Sequence, residues 1–171
     1  MKKFLVPFLV LVFGVAVFAA EADSVKSLTK EDGLKATAVT FTEAQTAKIQ
    51  AAMGSKQPIR TAYSIYVGKE VVVVMEEQQG KWGPIKMAIA IDKVTKKVMG
   101  IEIVAMMEKR GVAVKNANYL GQYTGKSTAD AVEVGKDIKA ISGATISSKA
   151  VTIAVKRALL VYSEAMPTKN K

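Results

Sequence analysis

Hydrophobic positions recur along this chain with two periods, and polar stretches mark the joints between them. From Thr42 to Met53, Ala44, Ala47, Lys48, Ile49, Ala52 and Met53 give the stripe of one helix face. Thr42 followed by Gln45 makes a capping box at its start, and Gly54 stops it. This helix is expected to pack on a sheet. The period then shortens to two. Tyr63, Ile65 and Val67 alternate within Arg60 to Val67, Gly68-Lys69 turns the chain, and Val71 to Met75 is the β-branched run of a central strand. Glu76 to Lys81 reads as a polar loop with its paired acids, Glu76 and Glu77, solvated. Trp82-Gly83-Pro84 reads as a turn. A second hairpin follows: Ile85, Met87, Ile89 and Ile91 share one face, Asp92 to Lys97 is a charged turn, and Val98 to Val104 puts Met99, Ile101 and Ile103 on one face.

Beyond Val104 the alternation stops. Ala105 to Gly125 is basic and glycine-containing, with Lys109, Arg110, Gly111, Lys115 and Gly121, and a short helix is expected within Asn116 to Tyr123. A connection this long in a compact domain is usually functional. Thr128 to Val134 reads as irregular and Ile138 to Ile141 as a short last strand. Helical spacing returns from Ser147 to Tyr162, where Val151, Val155, Ala158, Leu159 and Tyr162 share a face and Lys149 and Lys156 lie outside it. The pattern predicts an α+β fold: an antiparallel sheet of four or more strands, with an N-terminal helix and a long C-terminal helix packed on it.

The ends read differently. Met1-Lys2-Lys3 and the apolar Phe4 to Ala20 have the form of a secretory signal peptide over residues 1–22, with Ala20-Glu21-Ala22 as a small-x-small cleavage site and Ala19 as a second one. An uncleaved anchor is the other reading of the same run. Residues 23–40 read as a linker or weakly ordered arm, 41–165 as one folded domain, and 166–171 as a tail. On either reading of the leader the domain is periplasmic or otherwise extracytoplasmic, and in the second it is membrane-anchored.

Composition narrows the chemistry. The 171 residues contain no cysteine and no histidine. Disulfides, thiolate nucleophiles, iron–sulfur ligation and the commonest metal ligand and general base are thereby excluded. Ser147 and Ser148 have no histidine to activate them, so a self-sufficient serine hydrolase is not expected. The net charge of +10 suggests an anionic partner. For an exported chain, nucleic acid is not that partner; an anionic cofactor, an acidic redox protein or a membrane surface fits better.

One stretch combines the features of a ligand site. Ser142-Gly143-Ala144-Thr145 stands at the entrance of the last helix, with Ser147 and Ser148 just inside it. A glycine allows a tight turn and close approach of a ligand, and a helix start offers unpaired N–H groups and the positive end of the dipole. The same residues are also ordinary N-cap residues, which most often cap a helix and do nothing else.

Ser142-Gly143-Ala144-Thr145, followed by Ile146-Ser147-Ser148 and an alanine- and valine-rich helix, resembles the signature of the FMN-binding domain family. That family includes small extracytoplasmic flavoprotein subunits of the Na⁺-translocating NADH:quinone reductase and of related ferredoxin-linked complexes. Lys81-Trp82-Gly83-Pro84-Ile85, Glu108-Lys109-Arg110-Gly111 and Tyr119-Leu120-Gly121-Gln122-Tyr123-Thr124-Gly125-Lys126 are similar in order and spacing to its short members. The resemblance covers Gly80 to Tyr162, and Phe41 to Lys69 more loosely, which makes 41–165 an FMN-binding domain.

The resemblance implies FMN as cofactor and electron carriage beside membrane or extracytoplasmic redox partners, by a redox carrier rather than a stand-alone catalyst. In covalent members a flavin transferase esterifies FMN through its phosphate onto the threonine of the motif, here Thr145, with Ser142, Gly143 and Ala144 as the recognition turn. Ser147 lies beside that seat. Covalent members usually carry an acid three positions before the motif serine. Here Lys139 stands there, a cation suited to non-covalent phosphate binding, and the nearest acid is Asp137. Glu108 and Gly111, with Arg110 between them, match the family's ring-side loop. Trp82, Tyr119, Tyr123, Met106 and Met107 are candidates for the apolar slot. Two other readings stay open: a non-covalent FMN-binding module or sensor, and a basic exported adhesin or scaffold without flavin.

Overall fold

The computed structural model describes residues 14–54, 57–109 and 111–166, with side chains from Glu21 onward. Five strands, β1 (Lys35–Thr40), β2 (Ala62–Val67), β3 (Val71–Gln79), β4 (Pro84–Asp92) and β5 (Val98–Met106), form one antiparallel sheet in chain order. Helix α4 (Thr145–Ala165) covers one face and α1 (Gly14–Thr29) packs on the other. The α+β arrangement is the expected one, and double coverage explains why β3 is a continuous apolar run and why Ala88 and Ala90 fill the alternate positions of β4. Val72, Val74, Met87 and Ile89 point into the core under α4, while Val71, Val73, Ala88 and Ala90 pack with Val25 of α1. A strand covered on both faces is apolar at nearly every position.

Helix α2 (Glu43–Met53) starts on the expected capping box: the Thr42 N–H donates to Gln45 Oε1 at 3.0 Å, and the Gln45 N–H donates to Thr42 Oγ1 at 3.3 Å. Gly54, at φ +63°, ends it. Its buried stripe is only Ile49 and Met53, and the helix rests mainly on α4 rather than on the sheet.

Several expectations are corrected. Residues 23–40, read as a linker or arm, instead finish α1 and form edge strand β1. An exposed edge strand such as Lys-Ala-Thr-Ala-Val-Thr buries almost nothing, so it carries little hydrophobic signal. Glu76 belongs to β3 and is buried, not solvated: its carboxylate takes Arg157 Nε at 3.1 and 3.0 Å, Arg157 Nη2 at 2.6 Å and Arg60 Nη2 at 3.0 Å. Burial alone would push its pKa up, and the two guanidinium groups oppose that. Met99 turns outward. The pairs Ala90–Gly100 and Ile91–Val98 leave it as the extra residue of a bulge, so Val98 takes the core position. Ile138 to Ile141 forms no strand; a single bridge joins Val134 and Ile138. Asp137 accepts the Val132 and Glu133 N–H groups and pairs with Lys126, which stitches that loop without a sheet.

The sheet runs with a consistent polarity. The start of β4, the end of β5 and the N-terminus of α4 lie at one end, together with the Trp82 turn. Glu21, midway along α1, pairs with Lys86 near the start of β4, while Leu28 lies against Gly100 further along. Helix α1 therefore runs in the same sense as β4, with its N-terminal end toward the Trp82 turn.

Candidate functional site

The entrance of α4 is fastened before it is exposed. The Ala144 N–H donates to Ile141 O at 3.0 Å, and the Ile141 N–H donates to Ser148 Oγ at 3.1 Å. Gly143 sits at φ +77°, a left-handed conformation that a side chain would strain. Ser148 is buried and gives its hydroxyl to the turn, so it is a fastener of the motif and not a ligand group. Helix α4 then begins at Thr145 with no side-chain cap from Ala144, leaving first-turn N–H groups without an intrahelical acceptor.

Thr145 is exposed and faces a cleft of about 230 Å³ lined also by Lys81, Trp82, Glu108, Gly111, Gly143, Ala144, Ile146 and Ser147. Glu108 builds the far wall. Its carboxylate is buried, with Oε2 accepting from Ser147 Oγ at 2.9 Å and Oε1 accepting from the Trp82 N–H at 3.0 Å. One side chain thus ties the Trp82 turn, the loop after β5 and the first turn of α4. Two glycines make room for it. A Cβ on Gly111 would fall 2.8 Å from Glu108 Oε2 and run into Ser147, and one on Gly80 would strike Glu108 Oε1.

The Trp82 ring is half exposed at the rim, with Lys81 Nζ 5.4 Å and Lys109 Nζ 5.9 Å from its centroid. The lining therefore offers a hydroxyl, an uncapped helix start, a cation and one aromatic face. That donor set fits an anionic tail joined to a flat ring. At this volume the cleft is smaller than the ~300–1,000 Å³ of sites that bury a drug-sized ligand, so a flavin ring here would keep one side in solvent.

Of the site residues expected from the sequence, the fold brings Thr145, Gly143, Ala144, Ser147, Glu108, Gly111 and Trp82 to one cleft. Ser142 is exposed on the turn but does not line it. Lys139 is exposed and also outside the lining, its backbone held by the Gln122 side chain at 2.8 and 3.2 Å. Arg110 lies outside the described residues. Tyr123 is a correction. It is fully buried under α4, its hydroxyl bonded to Tyr119 at 2.7 Å and Thr152 at 2.7 Å, and burial pushes its pKa upward. Tyr119 is buried with it and donates to Ser148 O at 3.0 Å. Both tyrosines sit on one face of the short turns after Gly111, which the sequence does not orient. Lys81 and Ile146 were missed. Their adjacency to Trp82 and Thr145 was the available signal. Among the described residues no group of three or more acidic side chains is placed to hold a metal.

Comparison with known proteins agrees with the geometry. Residues 80–160 match the FMN-binding domain family, a span that contains every residue lining the cleft. No curated protein sequence matches the chain. Among solved structures, the fold is similar to that of one component of the Na⁺-translocating NADH-quinone reductase from Parabacteroides distasonis, with a TM-score of 0.56 and 19% identity over 85% of each chain. The chain therefore carries, over residues 80–160, a domain of the FMN-binding family, whose cofactor is FMN.

Proposed function

We propose that this chain is an extracytoplasmic electron carrier whose FMN is attached through its phosphate to Thr145 by a flavin transferase. The observation that carries the reading is the placement of the Thr145 hydroxyl. It is exposed at an uncapped helix start, inside a cleft whose other walls are Trp82 and the Glu108–Gly111 loop. Bound there, FMN supplies reversible electron transfer. The chain's own residues seat the phosphoryl end at the first turn of α4, add the Lys81 charge, and set the ring against Trp82.

The ester forms when the Thr145 oxygen takes the phosphorus of an activated flavin phosphate and the activating group departs. Its proton must go to the transferase. The chain has no histidine, and both oxygens of Glu108, the one carboxylate lining the cleft, are already bonded. Thr145→Val is near-isosteric at an exposed position and removes only the acceptor. Coexpressed with a transferase, the parent chain should show the mass increment of an FMN ester and in-gel fluorescence after heating in SDS. Thr145→Val should lose both and keep its fold. An adduct that persists in Thr145→Val refutes the assignment.

A second reading, reversible FMN binding, is favoured by Lys139 in the place of the usual acid. It predicts flavin that co-purifies with the chain and leaves on heating in SDS.

The leader directs export in this proposal. Burial of Glu21, which pairs with Lys86 and accepts from the Tyr66 hydroxyl at 3.2 Å, argues against cleavage after Ala22 and is compatible with cleavage after Ala19. Cleavage after Ala22 would strip both partners of their carboxylate. Among the described residues no helix is long and apolar enough to cross a membrane.

A further inference from the structure

The rim of the cleft carries most of the large apolar side chains that the described surface exposes. Trp82 is 52% exposed, Met107 71%, Val112 51% and Ile146 51%. They do not lie along one element. Trp82 stands on the turn before β4, Met107 just after β5 and across Gly83, Val112 in the turn beginning at Gly111, and Ile146 in the first turn of α4. The fold gathers them at one end of the sheet. Lys81 and Lys109 both bring their ammonium groups near the Trp82 ring, and the carboxylate lining the cleft, Glu108, is buried with a hydrogen bond to each oxygen. An exposed apolar cluster is a mark of an interaction face, and lysines beside an aromatic ring suit an interface that is wet and anionic on one side and apolar on the other.

The course of α1 says what covers it. From Glu21, level with the start of β4, the helix continues back to Gly14. That is seven residues, or about 10 Å, toward the end of the sheet that holds the Trp82 turn. Ahead of Gly14 the chain reads Met-Lys-Lys-Phe-Leu-Val-Pro-Phe-Leu-Val-Leu-Val-Phe. Helix α1 therefore begins, at Gly14, at the same end of the sheet as the exposed cluster and its lysines, and the most apolar segment of the sequence comes just before it in the chain.

We infer that this end of the molecule docks on an anionic phospholipid surface. Trp82, Met107, Val112 and Ile146 enter the headgroup boundary, and Lys81 and Lys109 meet lipid phosphates, so that the cleft mouth faces the bilayer. Two lysines at an anionic surface shift the docked-to-undocked ratio by at least about tenfold. Lys81 and Trp82 also line the proposed FMN cleft, so the inference is tested on protein made without FMN, where its failure is distinguishable from failure of the Thr145 ester.

Trp82 is the chain's only tryptophan, which makes it a direct reporter. The full chain, made without FMN, is reconstituted in vesicles of phosphatidylcholine alone or mixed equally with phosphatidylglycerol, each containing chain-brominated lipid. In mixed vesicles Trp82 emission should shift to the blue, be quenched by the brominated lipid and be shielded from acrylamide. In phosphatidylcholine alone these effects should be several-fold weaker. The pair Lys81→Glu and Lys109→Glu should restore emission in mixed vesicles while the chain, held by its leader, still floats with the lipid. Lys81→Arg with Lys109→Arg should stay quenched. Trp82 that remains unquenched and open to acrylamide in both lipids overturns the inference and leaves an acidic protein as the partner of this face. Quenching that ignores both the lysines and the lipid charge overturns it as well.

Discussion

Two buried glutamates on the chain have opposite surroundings. Glu76, in β3, meets two guanidinium groups and lies under the middle of α4. Glu108, after β5, meets a serine hydroxyl and a backbone N–H among the described residues, and borders the cleft. The first arrangement saturates the carboxylate with charge: Arg157 also donates to Gln78 Oε1 at 2.9 Å and to the Glu77 carbonyl at 2.9 Å, so the cluster clamps α4 to the sheet. The second has no cationic partner among the described residues. It positions, joining three segments that share no regular secondary structure. A buried acid thus serves stability where its partners are cationic and built into regular elements. It serves geometry where its partners are neutral and the surrounding glycines leave it room.

Breaking the first cluster should have the largest effect. Arg157→Ala leaves Glu76 with Arg60 alone in a buried setting and should destabilise the fold by about 3–5 kcal/mol, read by urea unfolding. Flavin attachment to the protein that still folds should be unchanged, because the cluster does not border the cleft. Equal loss of labelling and of stability would erase the distinction between the two glutamates.

Glu108 should behave the other way. Glu108→Ala leaves the Ser147 hydroxyl and the Trp82 N–H without their acceptor, at about 1–3 kcal/mol. It should lower FMN retention by more than that stability loss explains, because the Trp82 turn is released from α4. Glu108→Gln keeps an acceptor and the side-chain volume, so it should lie close to the parent in stability and recover most of the retention. Absorbance of the purified protein at matched folded fraction checks both.

The smallest effect should come from Tyr63, whose buried hydroxyl has no hydrogen-bond partner among the described residues although its ring lies 4.6 Å under Arg60. Tyr63→Phe removes an unsatisfied group and keeps the stacked ring, so it should be neutral or stabilise by up to about 1 kcal/mol. A loss above that would mean that the hydroxyl supports the Glu76 cluster directly.

Much of the molecule was legible in one dimension. Period-two patterns placed β2, β4 and β5, the β-branched run placed β3, and the capping box placed α2, because each of these is a local relation between neighbouring residues and the core face they share. The helix entrance at Gly143 to Thr145 was legible for the same reason. Readings failed where the deciding contact was distant in sequence. Glu76 looked solvated because its partner, Arg157, lies 81 residues away. Tyr123 looked like a ring-side aromatic because nothing local shows that its hydroxyl is held beneath α4. The bulge that turns Met99 outward depends on the register against β4.

The sequence by itself therefore determined the elements, the lack of thiol and imidazole chemistry, and the hydroxyl at the start of the last helix, since all of these reside in composition and short-range spacing. Only the tertiary structure decided that Thr145 shares a cleft with Trp82 and Glu108, and that the apolar rim of that cleft lies at the end of the sheet where α1 begins. Those facts require strands and helices far apart in the chain to end at one edge of the sheet, and that is a property of packing, which no local pattern carries.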